Sequence, residues 1–168
     1  MFKSMQPVLH SFAYSLDFLR EQVADIAAPD WVAQPNGVLN HPAWSIGHLI
    51  FIWQQLGGVV GLSQWLPDNW ELRFGSGSLP IADDSLYEPK EELLARLNDA
   101  QQRMTQAVER LRDAQLDEPF PDETYLDVFP TIRHALTQVL VAHTAFHIGQ
   151  VSIWRKARGL PAMPRSFE

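Results

Sequence analysis

Two histidines, His143 and His147, stand four residues apart in the run Ala142-His143-Thr144-Ala145-Phe146-His147-Ile148-Gly149-Gln150. On an α-helix that spacing leaves the rings about 40° apart on one face, one turn above the other. Two imidazoles so placed can share one ion, because a zinc–nitrogen bond is about 2.0–2.1 Å long. The same face carries Leu136, Val139, Leu140, Gln150, Val151 and Trp154, so both rings point into a core. The plainer alternative is a pair of buried histidines whose hydrogen bonds are satisfied, with Thr144 and Gln150 as partners. Thr144, Ala145 and Phe146 lie between the two, so the general-base glutamate of the H-E-x-x-H zinc-protease helix is missing.

A third ligand has to come from another segment. His48 stands in Trp44-Ser45-Ile46-Gly47-His48-Leu49, and Gly47 beside it would let another helix approach closely. His41 lies seven residues earlier, two helical turns or about 10 Å away along the axis, so it does not readily share an ion with His48. It stands at a helix start, as an end cap or loop residue. His134 falls nearly opposite His143 on its helix, and His10 is expected to be solvated. Ser76, in Gly75-Ser76-Gly77-Ser78, lacks the spacing of a nucleophile elbow, and no glycine-rich phosphate loop is present. Arg155, Lys156, Arg158 and Arg165 form a basic cluster at a helix end. It complements the helix dipole, or it binds the carboxylate of an anionic substrate.

Four helical patterns must position these residues. The first runs from about Pro7 to Ala27, with Val8, Leu9, Phe12, Leu16, Leu19, Val23 and Ile26 at three- and four-residue spacing. The second begins near Pro42, where a missing N–H costs nothing, and runs to about Val60. The third opens near Pro89 with Glu88, Glu91 and Glu92 in its first turn. It carries the stripe Leu93, Leu97, Met104, Val108 and Leu111, and ends near Arg110 and Arg112. The fourth runs from about Pro130 to Arg158 and stops at Gly159 and Pro161. Segments 61–87 and 115–129 are expected to be loops. Four long helices around one core predict an all-α four-helix bundle forming a single domain over residues 1–168. The connection before the third helix, roughly 25 residues at ~3.3 Å each, can cross the bundle, so helices two and three are expected to run parallel in an up-down-down-up order.

Composition narrows the function classes. The chain has 168 residues, 46% hydrophobic and 20% charged, which is a globular composition. Thirteen Lys and Arg against twenty Asp and Glu give a net charge of -7, so nucleic-acid binding is disfavoured. With no cysteine, a metal site must use histidines and carboxylates. The N-terminus MFKSMQPVLHSF has no apolar leader, so a cytoplasmic location is expected. Residues 31–67 contain no Asp, Glu, Lys or Arg. Part of that stretch, 44–62, is long enough to span a bilayer, but His48, Gln54 and Gln55 argue for burial between layers or at an oligomer interface. An apolar second helix of this kind predicts a homodimer. Trp44, Trp53 and Trp154 are expected in the core, and Trp65 and Trp70 over a pocket or at a dimer contact.

The segment Asn40-His41-Pro42-Ala43-Trp44-Ser45-Ile46-Gly47-His48-Leu49 resembles the second-helix signature of DinB-like, or YfiT-like, metal-binding proteins. The segment His143 to Gln150, followed by Arg155 and by Gly159-Leu160-Pro161, resembles their fourth-helix signature. With the helix lengths, the likeness covers nearly the whole chain. It implies a four-helix bundle in which three histidines, by position His48, His143 and His147, bind one divalent ion (zinc, nickel or iron). It also implies frequent homodimers.

Family activities implied by the resemblance are diverse. One is metal-dependent hydrolysis of a small-molecule substrate, with metal-bound water as nucleophile. A second is transfer or isomerisation dependent on a low-molecular-weight thiol, which a chain without cysteine must take as a cosubstrate. The third is a metal-binding module without turnover. The general base is not identified by any of these residues.

Overall fold

The computed structural model describes residues 4–163. Among these residues the only β-structure is one isolated antiparallel bridge, Pro119 to Thr131. The rest is helix and connection.

Helix α1 spans Gln6–Ala24 and buries Leu9, Phe12, Leu16, Leu19 and Val23, the stripe expected from their spacing. It stops three residues short of Ala27. Two short 3-10 turns, Ala28–Asp30 and Pro35–Gly37, follow. Helix α2 spans Pro42–Val59, and most of its 18 residues are buried. No helix of the described residues is long and apolar enough to cross a membrane.

The connection after α2 is not a plain loop. Helix α3, Trp70–Phe74, sits within it and buries Trp70 and Phe74. Trp70 is thus a core residue, 1% exposed, rather than a roof or a dimer contact. Its neighbours are Phe74 and the guanidinium groups of Arg73 and Arg96, both 5.7 Å from its ring centre. Trp65 is half-buried and packs on Gly57, where a Cβ would come within 2.9 Å of the indole.

Helix α4 spans Lys90–Arg110 and buries Leu93, Leu97, Met104 and Val108. Leu111 lies outside it, and a four-residue helix α5, Asp113–Leu116, occupies what the sequence marks as the margin of a loop. The last long helix is one continuous rod in three parts. Helix α6 spans Ile132–Thr137, a π-helical turn covers Gln138–His143, and α7 spans Thr144–Arg158. Gly159, at φ 78, ends it in the left-handed region, and the Leu160 N–H returns to the Arg155 carbonyl.

Contacts between helix ends show how the rods lie. Lys90, at the start of α4, donates to the carbonyls of Ala24 and Ile26 at 3.1 and 2.8 Å. Ser4, ahead of α1, donates to Asp113 beyond the end of α4 and accepts from Arg133 of α6. Arg155, near the end of α7, pairs with Asp25 after α1. Asn40, just before α2, bonds Gln150 of α7 at 2.9 Å. Helix α2 packs against α3, α4 and α7. Most of its apolar surface is therefore covered within one chain.

Candidate metal centre

His48 and its helix are positioned by a close approach at Gly47. A Cβ there would lie 2.1 Å from the Phe74 ring, so only glycine lets α3 seat against α2. Phe74 then places its backbone carbonyl 2.7 Å from His48 Nδ1. A carbonyl only accepts, so Nδ1 carries the proton and Nε2 keeps its lone pair. Trp44, one turn before, stacks on the imidazole with centroids 4.8 Å apart and planes 10° from parallel. Its indole N–H donates to Ser78 at 3.0 Å, which ties the long connection to the same spot.

His143 closes the π turn and His147 lies in the first turns of α7. Just after the π turn, the Thr144 hydroxyl donates to the Val139 carbonyl at 3.1 Å. Turns of this kind occur often at functional sites. The two Nε2 atoms are 3.2 Å apart. The His48 ring centre is 5.3 Å from that of His143 and 4.7 Å from that of His147. One ligand atom from each residue lies within 4.8 Å of the others. Two nitrogens on one tetrahedral zinc would be about 3.3 Å apart, so the pair on the last helix already has the needed separation. The three residues suit a metal ion, and together they could hold one.

The electrostatics agree. Burial pulls His143 down to about 4, with the charge of His48 adding to the effect. Burial pulls His147 down to about 3, helped by His48 and His143 and opposed by the Gln150 amide. Burial also lowers His48, against the Phe74 carbonyl. At neutral pH all three are uncharged, which is the state that ligates metal. No carboxylate belongs to the cluster among the described residues.

A family model described as the DinB superfamily matches residues 12–151. The chain belongs to that superfamily. The matched range takes in His48, His143 and His147 of this DinB-superfamily chain. No curated protein matches the sequence at a significant level.

The remaining histidines lie elsewhere. His41 is fully buried and caps α2, accepting from Trp44 N–H at 3.2 Å through Nδ1, with Nε2 3.1 Å from the Ile81 carbonyl. His134 is exposed and bonds Thr131. His10 is exposed on α1. In the basic cluster, Arg155 pairs with Asp25 and Arg158 with Asp30; Arg165 lies outside the described residues. Sequence reasoning did not find the Phe74 carbonyl or the Trp44–Ser78 and Asn40–Gln150 bonds. The one available signal was Gly47, which announced a close approach without naming the partner.

Proposed function

We propose that His48, His143 and His147 hold one divalent ion and that this DinB-superfamily protein is a metal-dependent hydrolase of a small-molecule substrate. The observation that supports this is the convergence of three uncharged imidazoles, from two helices, with no carboxylate among them. Neutral ligands leave an ion its full positive charge, and a divalent ion in such a set supplies Lewis acidity and acidifies a ligand in an open position. Zinc, nickel and iron all accept imidazole. The chain's own part is to orient and to shield. The Phe74 carbonyl holds the His48 tautomer, Trp44 walls one side, and half-buried His143 marks the side from which a substrate would enter.

The same proposal takes the four long rods α1, α2, α4 and α6–α7 as one four-helix bundle, a single domain in up-down-down-up order. The contacts of Lys90 with the end of α1, of Ser4 with Asp113, of Arg155 with Asp25 and of Asn40, before α2, with Gln150 of α7 support that order. A homodimer now rests on the family resemblance alone.

Cobalt-substituted protein tests the chemistry. The hydrolase reading expects one equivalent of metal, lost when His48, His143 and His147 are all replaced by alanine, and a visible spectrum that moves with pH. A spectrum that moves with bacillithiol or glutathione instead would transfer the site to thiol-dependent chemistry. A spectrum indifferent to both would make it a closed structural centre.

A further inference from the structure

The ring nitrogens of the histidine cluster are served unequally. His48 gives its Nδ1–H to the Phe74 carbonyl. His147 turns Nε2 toward His143 Nε2, at 3.2 Å. Its other nitrogen, Nδ1, is buried and makes no hydrogen bond of ordinary geometry. A buried polar atom left unmatched is costly. It is also the atom that must carry the proton once Nε2 ligates a metal, and ligating histidines almost always pass that proton to an acceptor. Gln150 stands three residues after His147, on the same face of α7, and is half-buried. Its amide lies close enough to favour protonation of the His147 ring. Hydrogen bonds at a site are often long before the ligand is bound and tighten with it.

Gln150 is itself held from the other ligand-bearing helix. Its Oε1 accepts from Asn40 Nδ2 at 2.9 Å, and Asn40 stands just before α2, which carries His48. An amide oxygen has two lone pairs, so one remains. We propose that Gln150 is a positioning residue of the metal centre: its Oε1 accepts the His147 Nδ1–H, and Asn40 holds that oxygen in place. The proposal rests on the metal-binding reading and not on hydrolysis. It also assigns the protons of the metal-free cluster. Two Nε2 atoms at 3.2 Å share one proton between them. With His147 kept as the Nδ1–H tautomer, that proton belongs to His143, whose Nε2–H donates to His147 Nε2. His48 and His147 thus stand ready as ligands. Only His143, whose Nδ1 also lacks a partner, must move its proton from Nε2 to Nδ1 to join them.

Two-bond proton–nitrogen NMR of the full chain with nitrogen-labelled histidine tests this, because such spectra distinguish the two tautomers of each ring. Metal-free wild type should show His147 as the Nδ1–H tautomer and His143 as the Nε2–H tautomer. Stoichiometric zinc should switch His143 alone. Gln150→Met keeps the length of the side chain and removes the acceptor. It should let His147 populate the Nε2–H tautomer and weaken zinc binding about ten- to hundredfold. Gln150→Glu retains an acceptor and should keep both the tautomer and the affinity. Asn40→Ala should weaken zinc binding in the wild-type chain and add nothing in Gln150→Met, since both residues act through one oxygen. The proposal is overturned by metal-free His147 in the Nε2–H tautomer, by a Gln150→Met variant that matches wild type in both readouts, or by losses at the two positions that simply add. A wild-type chain that takes up no zinc would remove the metal reading, and the metal-free spectra would still decide whether Gln150 holds the His147 proton.

Discussion

Gly47 has less room for a side chain than any other glycine among the described residues. Its missing Cβ is the space that the Phe74 ring fills, at a separation of 2.1 Å. The displaced atoms in Gly47→Ala would be a fully buried ring and, through it, the carbonyl that holds His48 Nδ1. Overpacking of this kind costs about 1–3 kcal/mol. Gly47→Ala should therefore lower the denaturant midpoint by that amount and also weaken metal binding, because His48 loses its orienting acceptor. Gly58, where a Cβ meets nothing within 4 Å, is the control. Gly58→Ala should leave metal affinity unchanged, and equal losses in the two variants would separate Gly47 from the site. Thr144 is the matching residue on the other helix. Thr144→Val keeps its shape and removes the hydroxyl that serves the Val139 carbonyl. Thermal unfolding should show a loss of about 1 kcal/mol.

Helix α2 depends on its first turn more than its composition suggests. His41 accepts from the Trp44 N–H and, through its other nitrogen, engages the Ile81 carbonyl forty residues on. One ring thus caps the helix that carries His48 and pins the long connection that supplies α3 and Ser78. Removing a helix cap costs about 0.5–2 kcal/mol, and here a buried ring is lost as well. His41→Ala should destabilise the fold by about 2–4 kcal/mol. Hydrogen exchange should rise at residues 78–87 before it rises in α4. Uniform exchange across both would show that the ring packs without pinning. The expectation from sequence that His41 sits at a helix start as a cap or loop residue agrees with this. Its complete burial does not follow from sequence, because the group that covers it arrives from a distant segment.

Over the whole molecule, three buried imidazoles and the half-buried His143 make stability depend on pH in one direction. Burial holds His41 and His143 at about 4 and His147 at about 3, and it lowers His48. The unfolded chain takes up these protons near pH 6.5. Each group therefore contributes stability that is complete above about pH 6.5 and is lost as pH falls toward the folded value. For His41 alone the difference is about 3 kcal/mol at most. Metal-free protein should show denaturant midpoints that are flat above neutrality and fall steeply between about pH 6.5 and pH 4. His41→Ala should flatten part of that fall, and a midpoint that rises on acidification would contradict the burial of neutral imidazoles. An ion on the three clustered histidines should move the fall to lower pH, since bound ligands resist protonation.

Local periodicity determined the helical rods. The stripes of α1 and α4 repeat every three or four residues, and Pro7 and Pro89 mark their starts, so those elements are written in neighbouring residues alone. The His143–His147 pair is legible for the same reason, its spacing being one turn of the helix that bears it. Tertiary structure decided what lies outside such periods. Five residues, Trp70–Phe74, are too few to show a period, so α3 and its carbonyl are fixed only by the close approach of Phe74 to Gly47. The π turn before His147 leaves no mark in the three- and four-residue spacing, and Thr144 bonds a carbonyl five residues back beside it. Helix α2 is apolar on nearly all sides and so carries no bias toward a partner. Only the packing of α3, α4 and α7 around it shows which elements of the chain cover it.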